Sequence, residues 1–441
     1  MTGGTQTPFF SIVMPTRNRG SLLRASLQTA IHQTFADYEV VVCDNNSTDD
    51  TREIVEAAQR ESDRVKYVNP NRDLSMCDNW DFAFTHAGGR FVAYLSDDDG
   101  LLPDCLSQAH GLISRFNLKL LVWPHAFYQH PDIPDPKTTA MLSCDFMSGR
   151  LFEVASDAII KALCDFQPND IIPIIPRMHN GVVDRALVEK AASATSRFFV
   201  PPFPDYSTAC QLLCTIDRYH FIDLPLGITG ASLISNTGMR FDRKGKFGAY
   251  TAMYETDLLA GVPAPMKYLT PPYLHATYRF FRKLHPEQFR YPVNMDAYFE
   301  AMFAELAAYE IHDDVSAEYQ ELASYMKEYY GSDEKFENLW ERNLESRQAE
   351  SRRASSNRQA IVEKFRKNKT LFRYAKKVKD FIAPPRPAYL EFTNVQSIND
   401  AARLLREKLP LVAPRHADLH PEPANSSLFL QELRIPQQQA G

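Results

Sequence analysis

Asp97, Asp98 and Asp99 follow one another directly behind the apolar run FVAYL at 91–95. Like charges held that close raise one another's pKa and cost energy unless something offsets them. Two readings suit such a triplet: a solvated turn, or a seat for a hard divalent cation that takes oxygen ligands. The cysteines make a weaker case for metal. Cys210 and Cys214 are four positions apart with no matching second pair, which fits core thiols better than a zinc site. Seven scattered cysteines suit a reduced chain rather than a disulfide scaffold.

The elements around the triplet decide between those readings. FFSIVMP and YEVVVCDNNS read as strands. SLLRASLQTAIHQTF lies between them, with Leu23, Leu27, Ala30 and Ile31 at helical spacing. STDDTREIVEAAQRE opens on a cap at Ser47 or Thr48 and carries Ile54, Val55 and Ala58 on one side. The alternation continues to about residue 130. Continuous apolar strands separated by amphipathic helices predict an α/β fold, a mostly parallel sheet covered by helices on both faces. The triplet then lies just past a strand's carboxyl end, where open α/β sheets bind ligands.

At 441 residues, 24% charged and 44% hydrophobic, the chain has an ordinary soluble composition and room for two or three domains. A net charge of −6 argues against nucleic acid as a partner of the whole chain. MTGGTQTPFF lacks the features of a signal peptide, and no apolar run approaches the ~20 residues of a spanning helix. A cytoplasmic protein is expected, with any membrane contact at the inner face.

Past residue 130 the pattern loosens. Residues 285–350 read as a helical region in which MDAYFEAMFAELAAY needs a partner for its aromatic face; these helices offer a surface for homo-oligomer formation. Residues 351–380 hold eleven Lys or Arg against two acidic residues. That segment reads either as a solvated helix docked on an acidic body or as a basic amphipathic helix for anionic lipid. A Pro-rich joint, a short helix around INDAARLLREKLP and a flexible tail complete 381–441.

SIVMPTRNRGSLLRASLQTAIHQTFADYEVVVCDNNSTDDT, followed by GGRFVAYLSDDDGLLPD, resembles the inverting family 2 glycosyltransferases of GT-A fold. The resemblance is strong over about 8–125 and weaker over 175–235. It implies a Rossmann-like sheet with a C-terminal helical region, and a catalytic domain over 1–284. Within that domain, a nucleotide-sugar half would span about 8–125 and an acceptor half about 126–284. It further implies a nucleotide-diphosphate-sugar donor, Mg²⁺ or Mn²⁺, and a glycan or lipid-linked acceptor of the kind used in cell-surface polysaccharide synthesis. Pro15, Thr16 and Arg17 would border the nucleotide, Asp44 would accept a hydrogen bond from the base, and Arg72 would approach the base or diphosphate. Members of the family commonly show Asp-x-Asp-Asp, three residues and a proline. Counting back from Pro103 puts Ser96 at the first Asp, a departure, and Asp97 at the variable position. Asp98 is then the leading metal ligand, with Asp99 in support and Asp97 near the ribose or sugar. An inverting displacement also needs a general base. The family carries it where Asp205 stands in PPFPDYSTACQ, although Pro204 occupies the place of the usual acidic neighbour. Taken as residues alone, Asp205 reads as a helix cap. Asp184 is the reserve base, and His179, His220 and His275 are candidates for a further metal or phosphate ligand.

Rival functions fare worse. A dinucleotide-dependent dehydrogenase lacks its Gly-x-Gly-x-x-Gly after the first strand. For a nucleotidyltransferase, PTRNRG is too short a phosphate loop. A non-catalytic nucleotide-sugar or glycan-binding protein on a transferase fold is the alternative that Ser96 and Pro204 keep open.

Overall fold

The computed structural model describes residues 7–133, 139–144, 148–166, 171–235, 254, 257–310, 313–345, 390–408 and 421–423. The basic segment 351–380 lies outside the described residues, as do most of the Pro-rich joint and the tail.

The first half alternates as its apolar periodicity requires. In order come β1 (Phe10–Thr16), α1 (Gly20–Ile31), β2 (Tyr38–Asp44), α2 (Thr51–Glu61), β3 (Val65–Val68), α3 (Met76–His86) and β4 (Phe91–Tyr94). β1 pairs in parallel with β2 on one side and β4 on the other, and β2 pairs in parallel with β3. Every residue of β1 and β2 is buried, as inner strands covered on both faces must be. Ile12 and Met14 face a layer containing Leu23, Leu27, Ile54 and Val55, while Val13 faces the layer of Trp80, Tyr94 and Phe199. Each fully buried side chain of that size contributes about 1.5–3 kcal/mol.

The chain goes on through β5 (Gly100–Leu101), α4 (Cys105–Phe116), β6 (Leu120–Val122), β7 (His125–Gln129), β8 (Met141–Cys144), β9 (Leu151–Ala155), α5 (Ser156–Cys164), β10 (Gly181–Asp184), α6 (Arg185–Ala192), α7 (Pro204–Thr215), β11 (Arg218–Ile222) and β12 (Gly227–Ala231). β10 inserts antiparallel between β4 and β6, so the main sheet is mixed rather than parallel throughout. With a short outer strand, β14 (Glu422–Pro423), its order is β14-β9-β11-β6-β10-β4-β1-β2-β3.

Helices α8 (Thr270–Leu284), α9 (Met295–Tyr309) and α10 (Ser316–Tyr330) follow. The aromatic face of α9 finds its partners there: Tyr298, Phe299, Phe303 and Leu306 pack in one layer with Tyr278, Phe281, Tyr319 and Leu322. No described helix is long and apolar enough to cross a membrane.

A second, five-stranded sheet was not apparent in the sequence. Its order is β13-β8-β7-β12-β5, with β13 (Leu390–Phe392) on its edge. Helix α11 (Ile398–Lys408) covers it, burying Ile398, Ala401, Ala402 and Leu405 against Tyr128 and Ile228. The short C-terminal helix is thus found where expected, and part of the proline-rich stretch before it pairs as a strand.

Candidate active site

The chain runs outward from β1 through β2 to β3, then returns to the other side of β1 as β4. That reversal makes a crevice at the carboxyl ends of the strands. Thr16 ends β1, Asp44 ends β2, and the acidic triplet follows β4.

Asp97 is tied inward. Thr16 Oγ1 donates to its Oδ2 at 2.8 Å, and Arg19 Nη1 lies 3.1 Å from its Oδ1. Burial alone would lower the pKa of Arg19, but Asp97 and Asp98 outweigh it and raise it. Asp99 accepts the backbone N–H of Gly230 at 2.9 Å. That contact needs glycine: a Cβ at Gly230 would stand 1.8 Å from the Asp98 carbonyl oxygen. His130 Nε2 lies 3.3 Å from the same carbonyl. The Asp98 carboxylate has the hydroxyl of Ser235 beside it. Burial, then Asp97, pushes Asp98 up to about 6; burial and Asp98 push Asp99 well above the usual carboxylate range. The triplet is therefore no solvated turn, since all three residues are buried.

Buried adjacent carboxylates short of positive charge are what a hard cation neutralises. Asp98, with Asp99 behind it, has the donor chemistry for Mg²⁺ or Mn²⁺. Among the described residues no cluster of three or more His, Cys, Asp or Glu is arranged to hold a metal. A cation at Asp98 would draw its other ligands from phosphate oxygens and water, as Mg²⁺ commonly does.

Asp44 is also buried. Its Oδ1 accepts Ser47 N at 2.9 Å, and its Oδ2 accepts Tyr67 OH at 2.7 Å with Asn69 Nδ2 at 3.4 Å. A carboxylate offers about four lone-pair sites, so Asp44 retains capacity for a ligand's donor. The rest of the DNNSTDDT turn fastens three loops together. Asn45 exchanges hydrogen bonds with Leu74, both 2.9 Å, and Asn46 Nδ2 reaches Asp73 at 2.8 Å. Asn18 accepts Thr48 N at 2.8 Å, and Asp49 caps the first turn of α1 by accepting Gly20 N at 2.9 Å. Asn18, Asn46 and Asn71 take left-handed φ values of 52°, 56° and 55°, which asparagine tolerates better than most residues. Pro15 sits inside β1 opposite Cys43. Arg17 pairs with Asp73 at 2.5 Å at the exposed rim, where Arg72 is also exposed.

Asp205 lies in the first turn of α7, which starts at Pro204 with Phe203 as its N-cap. The capping position is thus taken by another residue. Burial pushes the Asp205 carboxyl up, and Arg177 opposes that shift. The charge of the same Arg177 also acts on Asp99, so the acidic triplet and Asp205 feel one cation in common. Sequence reasoning missed Arg177; its signal is a lone cation between the apolar runs IIPII and GVV.

Other candidates have structural work. Asp184 caps α6 through Ala186 N at 3.0 Å and pairs with Lys119 at 2.9 Å. His275 packs against Tyr298, and burial lowers it to about 4. His220 lies within β11. His179 stands near His125 and is pushed well below its ordinary pKa by burial and then Arg177. Trp80 is a core residue, stacked on Tyr94 at 5.0 Å.

Residues 11–142 match the family model described as Glycosyl transferase family 2. Over 101 residues the chain is 40% identical to the GalNAc(5)-diNAcBac-PP-undecaprenol beta-1,3-glucosyltransferase of Campylobacter jejuni, covering 23% of this chain and 33% of that protein. It is 28% identical over 111 residues to the UDP-Glc:alpha-D-GlcNAc-diphosphoundecaprenol beta-1,3-glucosyltransferase WfgD of Escherichia coli, covering 25% and 43%. The match thus spans a third to less than half of these relatives. Among solved structures, S. aureus TarS 1-349 in complex with UDP-GlcNAc matches with a TM-score of 0.45 at 15% identity, covering 73% of this chain and 92% of that one. The family resemblance read from the sequence is thus matched by a glycosyltransferase family 2 model over residues 11–142, the part of the chain that builds this crevice from β1 to the acidic triplet.

Proposed function

We propose that the protein transfers a sugar from a nucleotide-diphosphate-sugar to a hydroxyl of a glycan or lipid-linked acceptor, with inversion at the anomeric carbon. The observation that carries this reading is the buried Asp97–Asp99 triplet at the switch point of the sheet, with Asp97 held by Thr16 and Arg19 and the Asp98 carboxyl raised by burial and by Asp97. Asp44 receives the base, with Pro15, Thr16 and Asp97 along the nucleotide and sugar and Arg17 and Arg72 at the rim. Asp98, supported by Asp99, would hold Mg²⁺ or Mn²⁺, which would neutralise charge growing on the departing diphosphate.

Asp205 serves as the base. It takes the proton of the acceptor hydroxyl as that oxygen bonds to the anomeric carbon, and the bond from that carbon to the diphosphate oxygen breaks on the opposite face. A carboxyl raised by burial suits the task, because its proton affinity moves toward working pH. The names of the two sequence relatives favour an undecaprenyl-diphosphate-linked acceptor, and that of the second favours a UDP-glucose donor. Such an acceptor places the enzyme at the cytoplasmic face of a membrane, with the catalytic unit over 1–284 and the basic segment 351–380 available for anionic lipid.

The test is a donor panel of UDP-, GDP-, dTDP- and CMP-sugars with Mg²⁺ or Mn²⁺, following free nucleotide. Metal-dependent release from one donor, lost in Asp98→Ala, is expected. No binding of any nucleotide would refute the reading, and binding without turnover in the presence of acceptor would favour a non-catalytic role.

A further inference from the structure

The loop before β10 carries a cation that the described fold leaves underused. Asn180 fastens this loop: its Oδ1 accepts Arg177 N at 3.0 Å, and its Nδ2 donates to Ile175 O at 2.9 Å and Pro173 O at 3.3 Å. The Arg177 guanidinium is not needed for that. Among the described residues its one hydrogen bond runs from Nη2 to Ile172 O at 3.3 Å. Its Nε is buried with no partner among the described residues. Native proteins rarely leave a buried donor unpaired, and such a group asks for a missing acceptor.

The surroundings say what kind of acceptor. The charge of Arg177 reaches Asp99 behind the triplet, Asp205 and Tyr206 on α7, His125 on β7 and the adjacent His179. Both histidines are driven toward the neutral form, so they add no competing charge. Neither carboxylate forms an ion pair with Arg177 among the described residues. The guanidinium is thus within electrostatic reach of both the cation-binding and proton-accepting ends of the crevice, with fork-shaped donors to spare.

We propose that Arg177 binds an anionic oxygen of the donor's diphosphate and holds the leaving group as its charge develops. This rests on the transfer reading above. Guanidinium donors match phosphate geometry, and their bonds to it strengthen where water is excluded. Arg19 is committed to Asp97, which leaves Arg177 as the cation able to meet the phosphates from the α7 side.

The experiment titrates full-length wild type, Arg177→Ala and Arg177→Lys with UDP, UMP, GDP, GMP and UDP-glucuronate in Mg²⁺, with melting curves to confirm folding. For the base that binds, Arg177→Ala is expected to weaken the diphosphate about tenfold or more and the monophosphate far less, with Arg177→Lys between. Equal loss for both, or none, overturns the inference and leaves the transfer reading standing. Loss confined to UDP-glucuronate also overturns it, assigning Arg177 to a sugar carboxylate. If Arg177→Ala does not fold, Arg177→Lys and Arg177→Gln carry the comparison. A wild type that binds none of the five refutes transfer from a UDP- or GDP-sugar and, with it, this inference.

Discussion

Thr16 Oγ1 donates a 2.8 Å hydrogen bond to Asp97 Oδ2 across 81 positions of chain, drawing the carboxyl ends of β1 and β4 together. Thr16→Val keeps the shape and removes the donor. Because Asp97 keeps Arg19, the expected cost is about 1–2 kcal/mol of stability, with weaker nucleotide binding. Urea denaturation and a nucleotide titration check both; an unchanged midpoint would mean that Arg19 alone suffices to hold Asp97.

Gly230→Ala is expected to do more harm than its size suggests. The new methyl would meet the backbone at Asp98, which has no rotamer to turn away. Overpacking of this kind costs about 1–3 kcal/mol, and turnover should fall with it. Gly111 is the control: it sits on an exposed face of α4 with nothing near its would-be Cβ. Gly111→Ala should stabilise by roughly 0.5–1 kcal/mol, read as a higher melting temperature.

Glu39, near the start of the sheet, contributes stability that acid removes. Its buried carboxylate accepts Ser11 Oγ at 2.6 Å and Gly88 N at 2.5 Å and pairs with Lys66. Burial pushes its pKa up, but Lys66, Ser11 and Gly88 outweigh that and hold it below the ordinary value. A depressed folded pKa gives stability that is complete above the unfolded value, about 4.3–4.5, and lost as pH falls through the folded one. Glu39→Gln should therefore cost about 1–3 kcal/mol at pH 7, with the gap to wild type closing below about pH 4. Denaturant titrations at several pH values measure it.

Asp44→Asn exchanges an acceptor-only carboxylate for an amide. If Asp44 receives the base, affinity for a nucleoside diphosphate should drop about tenfold, while pyrophosphate binding with Mg²⁺ stays as in wild type. Calorimetry with both probes separates the two, and an equal loss for pyrophosphate would point to a disturbed loop rather than a lost base contact.

Much of the candidate donor side was legible because its residues are local. Asp44 and Asp97–Asp99 each end a strand that announces itself by a continuous apolar run, and the asparagine-rich turn between β2 and α2 lies within a few positions. The remainder depends on pairings across the chain. Gly230 reaches Asp99 from 131 positions away, through a strand whose sequence, GITGA, is short and glycine-broken. β10 offers four residues, and no spacing rule says that it enters the main sheet antiparallel. Arg177 stands in a loop without periodicity, so only the folded chain shows which charges it meets. Asp205 is proposed through the family pattern; from residue types alone it read as a cap, a place that Phe203 fills.

The most direct test of one crevice with a donor end at Asp98 and a proton-accepting end at Asp205 is acceptor-dependent transfer measured beside nucleotide binding. Wild type, Asp98→Asn and Asp205→Asn would be assayed with UDP-glucose, Mg²⁺ and a polyprenyl-diphosphate-linked sugar. Asp205→Asn is expected to bind nucleotide within about threefold of wild type while transfer falls by roughly 10²–10⁴, and Asp98→Asn to lose metal-dependent binding as well. Transfer by Asp205→Asn at a rate near wild type would contradict that assignment.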